Sequence, residues 1–171
     1  MTAKVNTLGM RPSEPRLVPE LDVTDLQASL SYYTNVIGFA IVYRRLAEGF
    51  AYLDLEGANL MLEEAAGPGR RFRTALLERP FGRGMNLQIA ISDVVALHAR
   101  VLAAGADVIV PMEEMLYRVN DRSVVQKQFV VADPDGYLLR FFQDGTASRS
   151  QARHLDRGTA RRDRTSHRPS K

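Results

Sequence analysis

Asp22-Val23-Thr24-Asp25-Leu26-Gln27-Ala28-Ser29-Leu30-Ser31-Tyr32-Tyr33-Thr34-Asn35-Val36-Ile37-Gly38-Phe39 is the stretch from which the fold can be read. Leu26, Leu30, Tyr33 and Ile37 recur at helical spacing and so share one face. Thr24 and Gln27 have the spacing of a capping box, Gly38 supplies a C-terminal stop, and Phe39 begins an alternating pattern. The same order returns 68 residues later. Ile91-Ser92-Asp93-Val94 is followed by Leu97, Val101 and Ala104 on one face, with Gly105 as the stop. Two copies of one supersecondary unit account for this recurrence.

Each helix is followed by strand-like sequence. The first copy predicts strands at about 39–45, 50–55 and 58–64, with turns at Glu48-Gly49 and Glu56-Gly57. The second predicts them near 106–111, 124–132 and 137–143. Asp133-Pro134-Asp135-Gly136 reads as a hairpin turn, because proline fixes φ at the second position and glycine tolerates φ > 0 at the fourth. Each half is thus β-α-β-β-β, and the class is α+β. The expected division is an irregular arm over 1–14, a first module over 15–66, a linker over 67–84, a second module over 85–145 and a tail over 146–171. A short helix is expected near 72–79 in the linker, and a polar loop with a helical turn over 112–122.

Composition sets the outer limits. A chain of 171 residues, 45% apolar and 25% charged, has room for one domain or two small half-domains with a real core. The absence of cysteine excludes disulfides, thiolate nucleophiles and zinc–thiolate sites, and three histidines leave little for a His-rich metal site. No apolar run reaches the roughly 18 residues of a membrane helix, and no signal-peptide pattern opens the chain, so the expected address is the cytoplasm. The net charge of +3 arises in the tail: residues 147–171 hold eight basic and two acidic side chains, leaving 15 basic and 18 acidic in residues 1–146. Almost free of large apolar groups, that tail reads as a disordered solubilising extension. Contact with nucleic acid through counter-ion release is its other conceivable use.

The paired units resemble the vicinal oxygen chelate superfamily, which includes glyoxalases, bleomycin resistance proteins and extradiol dioxygenases. The residues that carry the resemblance are Asp25, Leu26, Ser29, Leu30, Tyr32, Tyr33, Gly38 and Phe39, then Asp133, Pro134, Asp135 and Gly136. It implies two βαβββ modules whose curved mixed sheets line a concave cup. Metal-dependent members place a 2-His-carboxylate set on strands facing the cup, and the resemblance puts those positions at Val18, Asn86 and Arg140, with Met61 where some members add a glutamate. None offers good ligand chemistry: valine and methionine lack a hard donor, asparagine alone is a poor ligand, and arginine is a permanent cation. His98 reads as a solvated or half-buried helix residue, while His154 and His167 lie in the tail. No metal and no cofactor is therefore expected.

The metal-free branch of the superfamily is the bleomycin resistance type, which sequesters its drug, and Val18-Pro19-Glu20-Leu21 with Asp25 resembles its opening strand. Gln88 and Ala90 stand where such proteins often carry a tryptophan pair, and Gln126-Lys127-Gln128-Phe129 replaces their usual run before the last turn. Strand alternation places in phase with the lost ligand positions Glu20 and Asp22, Asn59, Met61 and Glu63, Asn86, Gln88 and Ala90, and Leu138, Arg140 and Phe142. Met61, Leu138 and Phe142 are equally well core residues. Glu20, midway along a central strand, needs a partner or a solvated groove, so Glu20 and Arg140 mark either a ligand site or a closed ion pair. Glu113, Glu114 and Tyr117 are read as a loop at the crevice rim or as ordinary solvated surface. The candidate ligand-binding set is Glu20, Met61, Glu63, Asn86, Gln88, Glu113, Tyr117, Arg140 and Phe142, with no catalytic residue. The expected function is non-catalytic sequestration of a bulky antibiotic, such as a cationic glycopeptide. The alternative is a metal-dependent lyase or dioxygenase of the same superfamily. The resemblance also implies a homodimer; no membrane partner is expected.

Overall fold

The computed structural model describes residues 15–120 and 122–145, so the expected N-terminal arm and basic tail, with His154 and His167, lie outside the described residues. The chain divides into two compact units. The first runs to Arg83 and includes Asp133–Tyr137; the second comprises Gly84–Ala132 and the chain from Leu138 onward.

In the first unit, β1 (Glu20–Val23) leads into α1 (Leu26–Ser31), which continues as a π-helical segment over Tyr32–Ile37. β2 (Ala40–Arg45), a 3-10 turn at Leu46–Glu48, β3 (Phe50–Leu55) and β4 (Ala58–Glu64) follow. The sheet order is β1-β4-β3-β2, with β1 parallel to β4 and the other pairs antiparallel. In the second unit, β5 (Asn86–Ala90), α2 (Val94–Ala103), β6 (Val108–Val119), β7 (Arg122–Ala132) and β8 (Leu138–Gly145) give the order β5-β8-β7-β6, with β5 parallel to β8. The repeat read from the sequence is therefore a repeat of topology, and the α+β class stands.

The periodic apolar residues are the core. Leu26, Leu30, Tyr33 and Ile37 are all buried, as are Leu21, Val23, Leu53, Leu60 and Leu62 from the sheet. In the second unit Val94, Leu97 and Val101 are buried, with Phe129, Val131, Leu139 and Phe141. The helix caps differ from the expected capping box. Asp25 caps α1 by accepting from the Ala28 amide at 2.9 Å, and Asp93 caps α2 by accepting from Ala96 at 2.9 Å. Thr24 turns instead to Asp135, its hydroxyl donating at 2.7 Å and its amide at 3.0 Å. The widening after Ser31 has a local correlate: the Thr34 hydroxyl donates to the Leu30 carbonyl at 2.8 Å, and Gly38, at φ 102°, closes the turn on Tyr33 at 2.9 Å.

Two further expectations are corrected. No regular helix forms over 72–79, where only bends and irregular backbone occur. Residues 112–119, expected in a loop, continue β6, because β7 extends far enough to pair with them, Met115 opposite Gln126 and Val119 opposite Arg122. The Asp133–Gly136 turn forms as read, with Gly136 at φ 98°. Its aspartates are locks of the first unit. Asp133 accepts the amides of Asp135, Gly136 and Tyr137 at 2.8–3.0 Å and the Tyr33 hydroxyl at 2.9 Å. Asp135, 1% exposed, accepts from Thr24 and from Arg79 at 2.7 Å.

Candidate functional site

Because side chains alternate along a strand, burying Leu21, Val23, Leu53, Leu60 and Leu62 on one face of the first sheet commits their neighbours to the other. The register assembles that second face in rows. Glu20 lies beside Met61, Met61 beside Tyr52, and Tyr52 beside Tyr43. Asp22 lies beside Glu63, Glu63 beside Phe50, and Phe50 beside Arg45. The rings of Tyr43 and Tyr52 stack with centroids 5.2 Å apart and planes at 14°; Phe50 stacks on Tyr43 at 5.8 Å. The Arg45 guanidinium lies 3.9 Å from the Phe50 centroid and is tethered to Glu48 at 2.6 Å. Tyr43 is 45% exposed and Tyr52 half-buried, whereas Phe50 is 5% exposed, so the part of the platform open to solvent is the pair of Tyr43 and Tyr52. The sequence reading missed all three rings. Carrying the alternation from Met61 across to the next two strands would have found Tyr52 and Tyr43.

Glu20, Asp22 and Glu63 form an acidic margin to the platform. Glu20 opens β1, an outer strand of its sheet, and is exposed; the expectation of a central-strand carboxylate is corrected. Glu63 is 7% exposed. Burial, together with a hydrogen bond to Glu20 and the charges of Glu20 and Asp22, raises its pKa to about 7, against the pull of Arg71. The segment after β4 brings two guanidiniums here. Arg71 donates to Glu63 and to the Glu64 carbonyl, while Arg73 grips Asp22 through two bonds of 2.9 and 2.5 Å.

The second sheet carries a neutral and basic set. Gln88 pairs with Arg140, Ala90 with Phe142, and Phe142 with Gln128, which faces Glu113 on β6. Arg140 donates through Nε to the Gln128 side-chain oxygen at 2.9 Å, and through Nη2 to the same oxygen and to the Tyr117 hydroxyl, both at 2.5 Å. The Gln128 amide nitrogen donates to Glu113 at 2.7 Å and to the Tyr117 hydroxyl at 3.1 Å. Glu113, Tyr117 and Arg140 from the expected set thus meet through Gln128, a residue outside that set and only 5% exposed. Glu113 and Tyr117 sit on β6 rather than in a loop, which corrects their expected setting. Gln88 is exposed and donates to Gln126 at 3.4 Å, Asn86 is exposed, and Met61 and Phe142 are half-buried. Glu20 and Arg140 each have partners within their own unit, Glu63 for the one and Gln128 with Tyr117 for the other.

Val18, Asn86 and Arg140 bring no metal-ligand chemistry to the positions that the resemblance assigns to ligands. Among the described residues, no group of three or more histidine, cysteine, aspartate or glutamate side chains is arranged to hold a metal ion.

The profile of the Glyoxalase/Bleomycin resistance protein/Dioxygenase superfamily matches residues 18–141. Bleomycin resistance proteins of Geobacillus stearothermophilus and Staphylococcus aureus are 26% identical over 134 residues, covering 74% of this chain and 94% of theirs. Among solved structures, TioX from Micromonospora sp. ML1 has a TM-score of 0.57 at 25% identity, covering 75% of this chain and 98% of its own. A glyoxalase/bleomycin resistance protein/dioxygenase from Alicyclobacillus acidocaldarius shares the fold, with a TM-score of 0.54 at 17% identity, covering 78% and 94%.

Proposed function

The chain belongs to the Glyoxalase/Bleomycin resistance protein/Dioxygenase superfamily, and from that premise we propose that it binds a bulky organic molecule and holds it chemically unchanged. The observation that carries this reading is the stack of Tyr43 on Tyr52, with Phe50 buried behind it, beside Glu20, Asp22 and Glu63. Aromatic faces take planar rings, and Glu20, the exposed carboxylate of the margin that no arginine grips among the described residues, attracts a cationic substituent. A bleomycin-class glycopeptide, named by the curated relatives, is the first ligand to test; action in the cytoplasm as a homodimer completes the proposal.

The experiment is calorimetric titration of the whole protein with bleomycin and other bulky cationic antibiotics, with mass spectrometry of the ligand recovered afterward. Saturable binding and an unaltered mass are expected. Absence of binding at high micromolar ligand across the panel overturns the antibiotic reading, and a changed mass overturns the non-catalytic one. Tyr43→Ala removes one exposed ring of the stack and should weaken binding about three- to tenfold while leaving the fold intact.

A further inference from the structure

Arg140 is half-buried, yet both groups that hold it are neutral: the Gln128 amide oxygen and the Tyr117 hydroxyl. Arg45, Arg71, Arg73, Arg79 and Arg83 each meet a carboxylate within 4.0 Å; among the described residues Arg140 meets none. The carboxylate of its own network, Glu113, is spent on the amide nitrogen of Gln128, one side chain away. A guanidinium has five N–H groups. Nε and Nη2 account for three of them here, and the two on Nη1 have no partner among the described residues. The Tyr117 oxygen already receives hydrogens from Arg140 and Gln128, and its own hydrogen has only a long contact of 3.3 Å to Gln128.

We propose that this face of the second unit is a receptor for a carboxylate group, with Arg140 Nη1 and the Tyr117 hydroxyl as its donors. The inference concerns the second unit's sheet alone and goes beyond the proposed function: whatever the first unit's platform takes, the group that this face takes is a carboxylate. A partly desolvated cation without a counter-ion is stabilised by an incoming anion more than by any neutral acceptor, since charge-assisted bonds are roughly twice as strong. One uncompensated cation matches a monoanion, whereas a phosphate dianion would call for a second. Lys127, the lysine of β7, is 3.4 Å from Glu114 and already matched. Gln128 and Glu113 act as positioning residues: the amide holds the guanidinium plane, and Glu113 fixes which end of the amide faces it. Phe142, half-buried and in register with Gln128, offers apolar surface for the body of the acid, and Gln88, in register with Arg140, offers an amide beside it.

The test is titration of the full chain with sodium benzoate, with benzamide and benzylamine as neutral and cationic controls, followed by calorimetry and by the arginine Nε–Hε resonances. Benzoate should bind saturably and more weakly as salt rises, and should move the Arg140 signal; benzamide should bind at least tenfold more weakly. Arg140→Gln should lower benzoate affinity at least tenfold, with Arg140→Lys intermediate. Gln128→Glu places a counter-ion beside Arg140 within the chain and should abolish benzoate binding in a protein that still melts cooperatively. Tyr117→Phe should weaken it several-fold. Equal affinity for benzoate and benzamide, or unchanged benzoate affinity in Arg140→Gln or, should that variant not fold, in folded Gln128→Glu, overturns the proposal. Benzoate binding with no antibiotic binding overturns the glycopeptide reading alone; antibiotic binding with no benzoate binding overturns this inference alone.

Discussion

His98 carries a burial cost that its neighbours leave unrelieved. Its ring packs on Phe129 with centroids 4.9 Å apart, and its buried Nε2 has no hydrogen-bond partner among the described residues. The expectation of a solvated or half-buried helix residue holds for the side chain as a whole, which is half-buried, but not for that nitrogen. A buried polar atom without a partner costs free energy, whereas an apolar side chain of similar size costs none. His98→Leu should therefore raise stability by about 1 kcal/mol, measured by urea denaturation; a loss would mean that Nε2 finds an acceptor. Arg140 shows the same logic with opposite consequence, since its two unpartnered N–H groups are the ones proposed above to receive a ligand.

Among the elements, two kinds of aspartate do unequal work. Asp93 caps α2 through one exposed bond to a backbone amide, and Asp93→Ala should cost about 1 kcal/mol. Asp135 is buried in the turn before β8 and receives the Thr24 amide and hydroxyl and the Arg79 guanidinium. Asp135→Ala strips three donors of their acceptor and should cost about 3 kcal/mol, roughly three times the cap, in parallel thermal and denaturant melts. The pattern of proline and glycine made the turn legible, because φ preferences are local. The role of its aspartates was not legible, because their partners, Tyr33 and Thr24, lie about a hundred residues away in sequence. Likewise the extension of β6 through 112–119 depends on pairing with β7, and nothing local in Met112-Glu113-Glu114-Met115 announces it.

For the whole molecule, the titration of Glu63 links pH to stability. Its folded pKa, raised to about 7 first by burial, exceeds the ordinary glutamate value, so between the two the folded state binds more protons than the unfolded state. The stabilisation is full below the unfolded value and is lost as pH rises through about 7. Asp133 is also raised, chiefly by burial, and contributes with the same sign. Denaturant melts from pH 5 to pH 8 should show wild-type stability falling, and Glu63→Gln, whatever its starting stability, should show a shallower decline. An equal slope in the two proteins would contradict this account. No helix is long and apolar enough to cross a membrane among the described residues, and the pH response belongs to the first unit, where Glu63 and Asp133 both lie.

Local spacing was enough to establish the repeat, the helical faces, the strand phases and the hairpin turn, because each depends on periodicity or on backbone preference within a few residues. Those signals, taken with the ligand positions that the family resemblance implies, placed Glu20, Met61, Glu63, Asn86, Gln88, Arg140 and Phe142 on strands without revealing their partners. Only the tertiary structure decided that Tyr43, Phe50 and Tyr52 stack, that Arg71 and Arg73 meet the acidic margin, and that Gln128 stands between Glu113 and Arg140. Register between strands and the path of an irregular segment set those contacts, and both are fixed by packing over long sequence separations, which no local pattern encodes.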